Sequence, residues 1–304
     1  MWMLYKQRKK PYELKVLEYL DTRMLLSRKE RQYYFSLKKW YEGEVLFDSL
    51  TEKLQCECFI LNDLLLNSNN NTFQIDSLII TSDTIYLFEV KNHAGDYYYE
   101  SDNFYNKKSN SEIINPLHQL KRKETLFHQL LFKLGYNLPI NGSVVFINPE
   151  FTLYQSPLTK PIIYPTQIHQ YLNELGNVPL KLAKGHKMLA EKLKSLHFQH
   201  TNYDNLPSYQ YEKLKKGITC LKCNSFTILM EGSKCVCKHC GYIEKFADAV
   251  IRSIEEFKLL FPDNKITTSA IFDWCQVINS KKRIKGVLDK NYKRIGENRW
   301  IYYQ

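Results

Sequence analysis

The sequence of 304 residues has no long hydrophobic run. No apolar stretch approaches the roughly 18 residues that a membrane span needs. The first ten residues, MWMLYKQRKK, also lack the apolar stretch and small-residue cleavage site of a secretion signal. No internal repeat is visible, so a repeat architecture is not expected. We therefore expect a cytoplasmic protein that does not associate with membranes.

The chain is strongly basic. Its 43 Lys and Arg residues exceed its 32 Asp and Glu residues, which gives a formal net charge of +11. Such an excess favours a polyanionic partner such as nucleic acid or an anionic surface, although a solvated basic surface explains the same charge. Four of the eight cysteines form two CxxC pairs. In a reducing compartment these pairs indicate metal ligands rather than disulfides.

The chain is long enough for two or three domains. Its sequence patterns divide it into five segments. They are a basic helical segment at 1–41, a segment of alternating helix and strand patterns at 42–200, a linker at 201–217, a cysteine-rich segment at 218–245 and a C-terminal segment at 246–304.

The second segment alternates between helical and strand patterns. GEVLFDSLTEKL places Leu46, Leu50 and Leu54 on one helix face, and three short apolar strands follow. After a tyrosine-rich stretch that suits a further hairpin, a strong helix begins with Asn115 as its N-cap and ends at Gly135. SVVFINP is a short buried strand, and two weaker helices are predicted at about 165–175 and 181–197. This order predicts an α/β fold, a mixed sheet flanked by helices.

FQIDSLIITSDTIYLFEVKNHAG reads as two strands joined by a turn at Ser82 and Asp83. If Thr81 faces Thr84, the same register places Asp76 directly opposite Glu89. Strand alternation puts Lys91 on the same face, opposite Gln74.

Two explanations account for these charges. One is an ion network in which Lys91 neutralises an acid. The other is a divalent metal, because the neighbouring residues are apolar and burying two carboxylates beside one lysine is costly without a further cation. Oxygen ligands favour Mg²⁺ or Mn²⁺ over zinc. The lysine would then be available for chemistry.

An Asp followed about a dozen residues later by ExK on the next strand, within this element order, resembles the PD-(D/E)XK nuclease superfamily. More narrowly, residues 40–150 resemble the NERD (nuclease-related) domain. The matching pieces are GE at 43–44, NDLLL at 62–66, QID at 74–76, EVKNHAG at 89–95 and NPLHQ at 115–119.

The resemblance implies roles for five residues. Glu44, Asp76 and Glu89 would be acidic metal-site residues, Lys91 the catalytic lysine and Gln119 a supporting polar residue. Glu44 is predicted at a helix start, where stabilisation by the helix dipole explains an acid almost as well. His93 could approach the site from just past the strand, but as a lone loop histidine it is expected to be exposed.

The resemblance further implies an Mg²⁺-dependent nuclease acting on DNA. An RNA-cleaving enzyme with the same site, and a nucleic-acid-binding or regulatory protein without activity, are the alternatives. Intact Asp76, Glu89 and Lys91 favour an enzyme.

CLKC and CKHC, separated by 13 residues, have the spacing of a four-cysteine zinc ribbon. The predicted ligands are Cys220, Cys223, Cys237 and Cys240. Cys235 is a possible substitute, but it forms a CxC pair with Cys237, so Cys237 with Cys240 makes the better pair. Cys56, Cys58 and Cys275 are interpreted as structural thiols. Four thiolates leave no open position, so the zinc is expected to be structural.

The C-terminal segment has the order helix, helix, basic helix and hairpin, which resembles a winged helix-turn-helix domain. The predicted nucleic-acid-binding residues are Lys281, Lys282, Arg283 and Lys285 on the third helix and Lys293, Arg294 and Arg299 on the wing. A protein-binding winged domain with a solvated basic face is the alternative.

Overall fold

A computed structural model describes residues 3–177, 181–198, 205–276, 280–297 and 300–304. The helices are α1 (Tyr12–Arg23), α2 (Arg28–Thr51), α3 (Pro116–Lys133), α4 (Ile168–Gly176), α5 (Lys184–Leu196), α6 (Phe246–Leu260), α7 (Thr268–Cys275) and α8 (Lys281–Asn291), with short 3-10 helices at Pro165–Gln167 and Tyr211–Lys213. Among these helices none is long and apolar enough to cross a membrane.

Fifteen strands accompany the helices in the described part of the chain. They are β1 (Met3–Lys6), β2 (Phe59–Ser68), β3 (Asn71–Ile80), β4 (Ile85–Lys91), β5 (Gly95–Glu100), β6 (Asn103–Asn106), β7 (Ser111–Ile113), β8 (Ile140–Phe146), β9 (Phe151–Tyr154), β10 (Ile162–Ile163), β11 (Ile228–Glu231), β12 (Lys234–Cys237), β13 (Ile243–Lys245), β14 (Arg294–Ile295) and β15 (Tyr302–Tyr303).

The chain forms two compact units. The first contains Met1–Lys10 and Phe35–Tyr203, and the second contains Pro11–Tyr34 and Asp204–Gln304. Residues 1–41, predicted as one helical segment, hold β1, α1 and part of α2 and contribute to both units.

The first unit is built on the predicted mixed sheet, with strand order β1-β2-β3-β4-β8-β10. Strands β2, β3 and β4 are antiparallel neighbours, whereas β8 runs parallel to β4. Apolar side chains alternate between the two faces of these strands and form two buried clusters. One cluster includes residues of α3 and α5, and the other includes residues of α2 and α4. Helices therefore cover both faces, as expected for an α/β fold.

The predicted register of the β3–β4 hairpin is confirmed. The backbone N–H of Thr81 donates to the carbonyl of Thr84 at 3.0 Å, and the paired residues run from Ile80 opposite Ile85 to Ser77 opposite Phe88. The tyrosine-rich stretch also forms a hairpin, β5–β6, within a second sheet of order β7-β6-β5-β9.

Helix α3 has the predicted ends. The Asn115 side chain accepts a hydrogen bond from the Leu117 N–H, Pro116 occupies the first turn, and Gly135 follows the helix with φ +78°. Since only glycine adopts such a φ at little cost, Gly135 is a sufficient stop signal.

The prediction for α2 is wrong in two respects. The helix begins at Arg28 rather than near Gly43. Its buried face also differs, because Leu46 is 47% exposed whereas Phe47 is 1% exposed. A spacing of four residues was therefore not enough to identify the core-facing side.

The second unit contains a three-stranded sheet, β11-β12-β13, the three helices α6 to α8, and the β14–β15 hairpin. The order of three helices and a hairpin agrees with the predicted pattern, while its assignment as a winged helix stays a prediction. Trp274 and Phe257 are almost completely buried in its core.

Arg23 is a buried cation within this second unit, 2% exposed. Its guanidinium donates to both carboxylate oxygens of Glu256, at 2.6 and 2.8 Å, and to the carbonyls of Lys215 and Gly217. It also lies 4.0 Å from the centre of the Trp274 ring. Arg23 therefore joins α1 to α6 and to the segment before the ribbon.

We expect Arg23→Met to destabilise the second unit by about 3–5 kcal/mol, because Glu256 would stay buried without its partner. In urea unfolding, the double variant Arg23→Met, Glu256→Met should be more stable than the single variant. Arg31→Met is the control, since the ion pair that Arg31 forms with Asp21 is exposed and its loss should cost less than about 1 kcal/mol. A double variant no more stable than the single one would contradict this account.

Candidate active site

Asp76 and Glu89 lie side by side where the β3–β4 ladder ends, and they are 6% and 2% exposed. The last paired residues are Ser77 and Phe88. Beyond them Asp76 Oδ2 accepts a hydrogen bond from the Val90 N–H at 2.8 Å. A side chain thus replaces the next backbone bond of the ladder, which holds the Asp76 carboxylate against β4.

Both carboxylates contact one ammonium, that of Lys123 on α3. Lys123 Nζ lies 3.0 Å from Asp76 Oδ1 and forms an ion pair with Glu89 Oε2. Lys91 Nζ lies 2.7 Å from Glu89 Oε1. Two acids therefore meet two lysines, whereas the sequence predicted only Lys91. The predicted opposition of Lys91 and Gln74 is wrong, because Gln74 Nε2 instead donates to Asp63 Oδ1 at 2.9 Å and the ladder stops earlier.

The charges of this cluster stabilise one another. Burial opposes ionisation of Asp76, but Lys123, Lys91 and the Val90 N–H outweigh it, so the pKa of Asp76 is lowered. Burial likewise opposes the charge of Lys123, yet Asp76 and Glu89 raise its pKa. Asp76 is therefore anionic and Lys123 cationic at neutral pH.

Glu44 lies beside this cluster but not at a helix start. It is well inside α2, so the dipole explanation from the sequence is wrong. The preceding Gly43 packs against Asn92, and a Cβ at Gly43 would come within 2.5 Å of the Asn92 Cβ. Glycine thus permits the close approach of α2 to the loop after β4.

Arg8, which the sequence did not single out, binds Glu44. Arg8 Nη1 donates to Glu44 Oε2 at 2.7 Å, Nε donates to Asp48 Oδ2 at 2.8 Å, and Nη2 donates to the Asp76 carbonyl at 2.6 Å. Burial and the negative charge of Asp76 raise the pKa of Glu44 to about 8, although Arg8 acts in the opposite direction. Arg8 therefore joins α2 to β3 next to the buried acids.

Asp63 adds a backbone irregularity on β2. Its φ is +57°, and it lies between the pairs Asn62–Ser77 and Leu64–Ile75 without a pair of its own. Left-handed conformations of non-glycine residues are uncommon and concentrate at functional sites. In the β2–β3 register, the unpaired position of Asp63 is the one that corresponds to Asp76.

Gln119 lies one helical turn before Lys123 on α3, and residues four apart share a helix face. Its Oε1 atom is buried, and no group in the described part of the chain hydrogen-bonds to it. Buried polar atoms are normally satisfied, so this oxygen is an exception within the described part of the chain.

His93 is half-buried rather than exposed, which corrects the expectation from the sequence. Its ring centre lies 5.3 Å from that of Tyr97 and 6.2 Å from that of Phe146. Burial, with contributions from Lys91 and Lys39, lowers the pKa of His93 from 6.5 to about 4.

This pKa predicts an acid sensitivity. Between pH 6.5 and about 4 the unfolded chain binds a proton at His93 that the folded chain does not, so the contribution of His93 to stability is greatest above pH 6.5 and falls toward pH 4. His93→Phe should reduce this loss in urea unfolding at a series of pH values. His128→Gln, which changes an exposed histidine of α3, should keep it. An unchanged pH dependence in His93→Phe would show that His93 is not responsible.

The four predicted cysteine ligands converge in the second unit. The Sγ atoms of Cys220, Cys223, Cys237 and Cys240 all lie within 4.8 Å of one another. Cys235 is not part of this group, and its Sγ instead lies 3.4 Å from Met230 Sδ. Among the described residues these cysteines are the one group of three or more His, Cys, Asp or Glu side chains arranged to hold a metal; Glu44, Asp76 and Glu89 do not form such a group.

The remaining cysteines Cys56, Cys58 and Cys275 are buried, in keeping with their interpretation as structural thiols. A hydrogen bond from Cys58 lowers the pKa of Cys56 to about 7.

We expect about one tightly bound zinc per chain. Cys220→Ser and Cys240→Ser should lose it, because each removes one of four thiolates. Cys235→Ala should retain it. Elemental analysis of protein after gel filtration measures the ratio, and zinc lost from Cys235→Ala but kept in Cys220→Ser would contradict the assigned ligand set.

The basic residues of the C-terminal segment fall into three groups. Lys281, Lys282, Lys285, Lys293 and Arg294 are exposed. Arg283 is half-buried, donates to the Gly232 carbonyl at 2.7 Å and lies 4.2 Å from the Phe246 ring centre. It thus contacts the β11–β12 turn, and its assignment to nucleic-acid binding stays a prediction. Arg299 lies outside the described residues.

Comparison with known proteins finds a family match for one region of the chain. The model of the NERD family, the nuclease-related domain, matches residues 39–147, which is about a third of the sequence. This confirms the resemblance predicted for residues 40–150. No curated protein and no solved structure matches the chain. The matched region contains Glu44, Asp76, Glu89, Lys91, Gln119 and Lys123.

Proposed function

We propose that this protein is a nuclease that hydrolyses phosphodiester bonds of DNA with the help of Mg²⁺ or Mn²⁺. The observation that supports it best is the meeting of Asp76, Glu89 and Lys91 at the end of a buried hairpin within the NERD-matched region. The PD-(D/E)XK superfamily, to which we assign this region, has acids and a lysine in this order.

The residues present suit a hard divalent cation. Asp76 and Glu89 would hold it, Glu44 lies beside them, and the unsatisfied Gln119 Oε1 is a further oxygen on the neighbouring helix face. Carboxylate and amide oxygens are the ligands that Mg²⁺ and Mn²⁺ prefer. When bound, such a metal would polarise the phosphoryl group and lower the pKa of a water molecule.

The chain's own residues would perform the positioning. The Val90 N–H holds the Asp76 carboxylate, and Arg8 holds Glu44 and the Asp76 backbone. Lys91 is 20% exposed, so its ammonium can reach an anionic substrate. We assign it to orienting the attacking water or stabilising the negative charge that develops on the phosphate.

The second unit would contribute substrate binding. The exposed cations Lys281, Lys282, Lys285, Lys293 and Arg294 suit contacts to DNA phosphates, and helix α8 has the size to enter a major groove. The cysteine cluster would hold a structural Zn²⁺. CxxC pairs that hold a metal instead of forming disulfides suit a reducing compartment such as the predicted cytoplasmic location.

A nucleic-acid-binding protein without catalytic activity is the second candidate. It is favoured by one observation, namely that Lys91 and Lys123 already neutralise both buried acids. A purely structural ion network would have this arrangement.

Nuclease assays distinguish the two candidates. Plasmid, linear duplex, single-stranded DNA and RNA are incubated with purified protein in Mg²⁺, Mn²⁺ or EDTA. We expect metal-dependent cleavage of DNA, reduced about a hundredfold or more by Asp76→Asn and by Lys91→Met, because each removes charge at the reacting centre.

Matched controls are Asp96→Asn and Lys53→Met, which change exposed residues of the same unit and should retain activity. Folding of each variant is checked by circular dichroism. Activity that survives both site variants would sink the proposed site, and binding without cleavage of any substrate would favour the second candidate.

A further inference from the structure

Lys123 occupies the position between the two acids where a metal ion would be expected. Its ammonium contacts Asp76 Oδ1 at 3.0 Å and Glu89 Oε2, while its side chain is 15% exposed. The helix that carries it is firmly placed, because Asn115 caps α3 and Leu120 and Phe127 are buried in the core. Lys123 is therefore a built-in partner of the acid pair.

The charge balance limits what can bind there. Asp76 and Glu89 contribute two negative charges, and Lys91 and Lys123 contribute two positive charges. A divalent cation added to these four groups, whose own charges sum to zero, would leave two uncompensated positive charges, which is costly in a low-dielectric environment. The metal can bind favourably only if Lys123 leaves the carboxylates and further negative charge arrives.

We propose that Lys123 is an internal cation that holds Asp76 and Glu89 until a divalent metal and a nucleic-acid phosphate replace it together. This inference rests on the proposed function, since it assigns the phosphate backbone as the arriving anion. The flexible four-carbon stem of lysine lets the ammonium change partners while α3 stays in place. Once displaced from the carboxylates, Lys123 binds the phosphate.

Two consequences follow from this exchange. Without nucleic acid the metal binds weakly, because it must break the contacts of Lys123 with Asp76 and Glu89. With nucleic acid it binds more tightly, and by linkage the metal strengthens phosphate binding by the same factor. Lys123 is thus a positioning residue that makes metal uptake depend on substrate.

Metal affinity without nucleic acid tests the first consequence. Mn²⁺ binding to zinc-loaded protein is measured by electron paramagnetic resonance for the wild type, Lys123→Met and Lys121→Met. We expect Lys123→Met to lower the Kd at least about tenfold, which is about 1.4 kcal/mol, because the competing cation is gone. Lys121→Met, which removes an exposed lysine of the same helix, should leave the Kd unchanged. An equal or higher Kd in Lys123→Met would overturn the proposal.

Coupling to nucleic acid tests the second consequence. The Mn²⁺ titration is repeated with a short phosphorothioate DNA duplex that resists cleavage. We expect the wild-type Kd to fall at least about tenfold and the Lys123→Met Kd to change much less. Equal coupling in both proteins would contradict the exchange.

Two further measurements guard against misfolding of Lys123→Met. Lys123→Arg keeps a cation and should keep the weak metal binding of the wild type; tight binding by this variant would count against competition. Wild-type protein with ¹⁵N-labelled lysine is studied with diamagnetic Mg²⁺ in place of Mn²⁺. The signal of the Lys123 ammonium should shift when Mg²⁺ and DNA are added together. A signal unchanged at saturation would overturn the displacement.

Failure of this inference and failure of the proposed function give different results. If Lys123→Met binds metal more tightly than the wild type, but the wild type cleaves no substrate, the displacement is supported and the nuclease function is refuted. Cleavage that requires Asp76, together with an unchanged metal Kd in Lys123→Met, would support the nuclease function and refute the displacement.

Discussion

Two carboxylates at the end of a buried hairpin impose the constraint around which the first unit is organised. A buried carboxylate needs a cation and hydrogen-bond donors, since its desolvation is otherwise too costly. Asp76 and Glu89 obtain them from two elements, since Lys91 and the N–H of Val90 belong to β4 and Lys123 belongs to α3. The requirement for charge compensation thereby joins the sheet to the helix that covers it.

The same constraint extends to the opposite side of the acids. Arg8 follows β1 and binds Glu44 and Asp48 of α2 as well as the backbone carbonyl of Asp76. Helices from both faces of the sheet therefore contribute to one charged cluster, in which each charge has a partner. A cluster so closely balanced is sensitive to any added ion, which is why ligand entry and rearrangement of lysine are expected to be coupled.

Buried charge has a comparable part in the second unit, considered by itself. Arg23 satisfies Glu256 and two backbone carbonyls, while the four cysteines bring the two CxxC pairs together. The small three-stranded sheet has few buried apolar residues of its own, so a metal held by the four cysteines would supply much of its order.

Features that depend on short stretches of chain could be predicted from the sequence. Turn chemistry and alternation predicted the β3–β4 register, and local residue preferences predicted the Asn115 cap and the Gly135 stop. Spacing predicted the two CxxC pairs. The buried face of α2 could not be predicted, since it depends on which helix side meets the sheet. Lys123 and Arg8 carried no local signal either. They are 47 and 68 residues from Asp76 along the chain, and a lysine in a helix reads as a solvated charge until the fold places it between two acids. Tertiary packing alone decided which cations neutralise the site, because charge compensation acts through space.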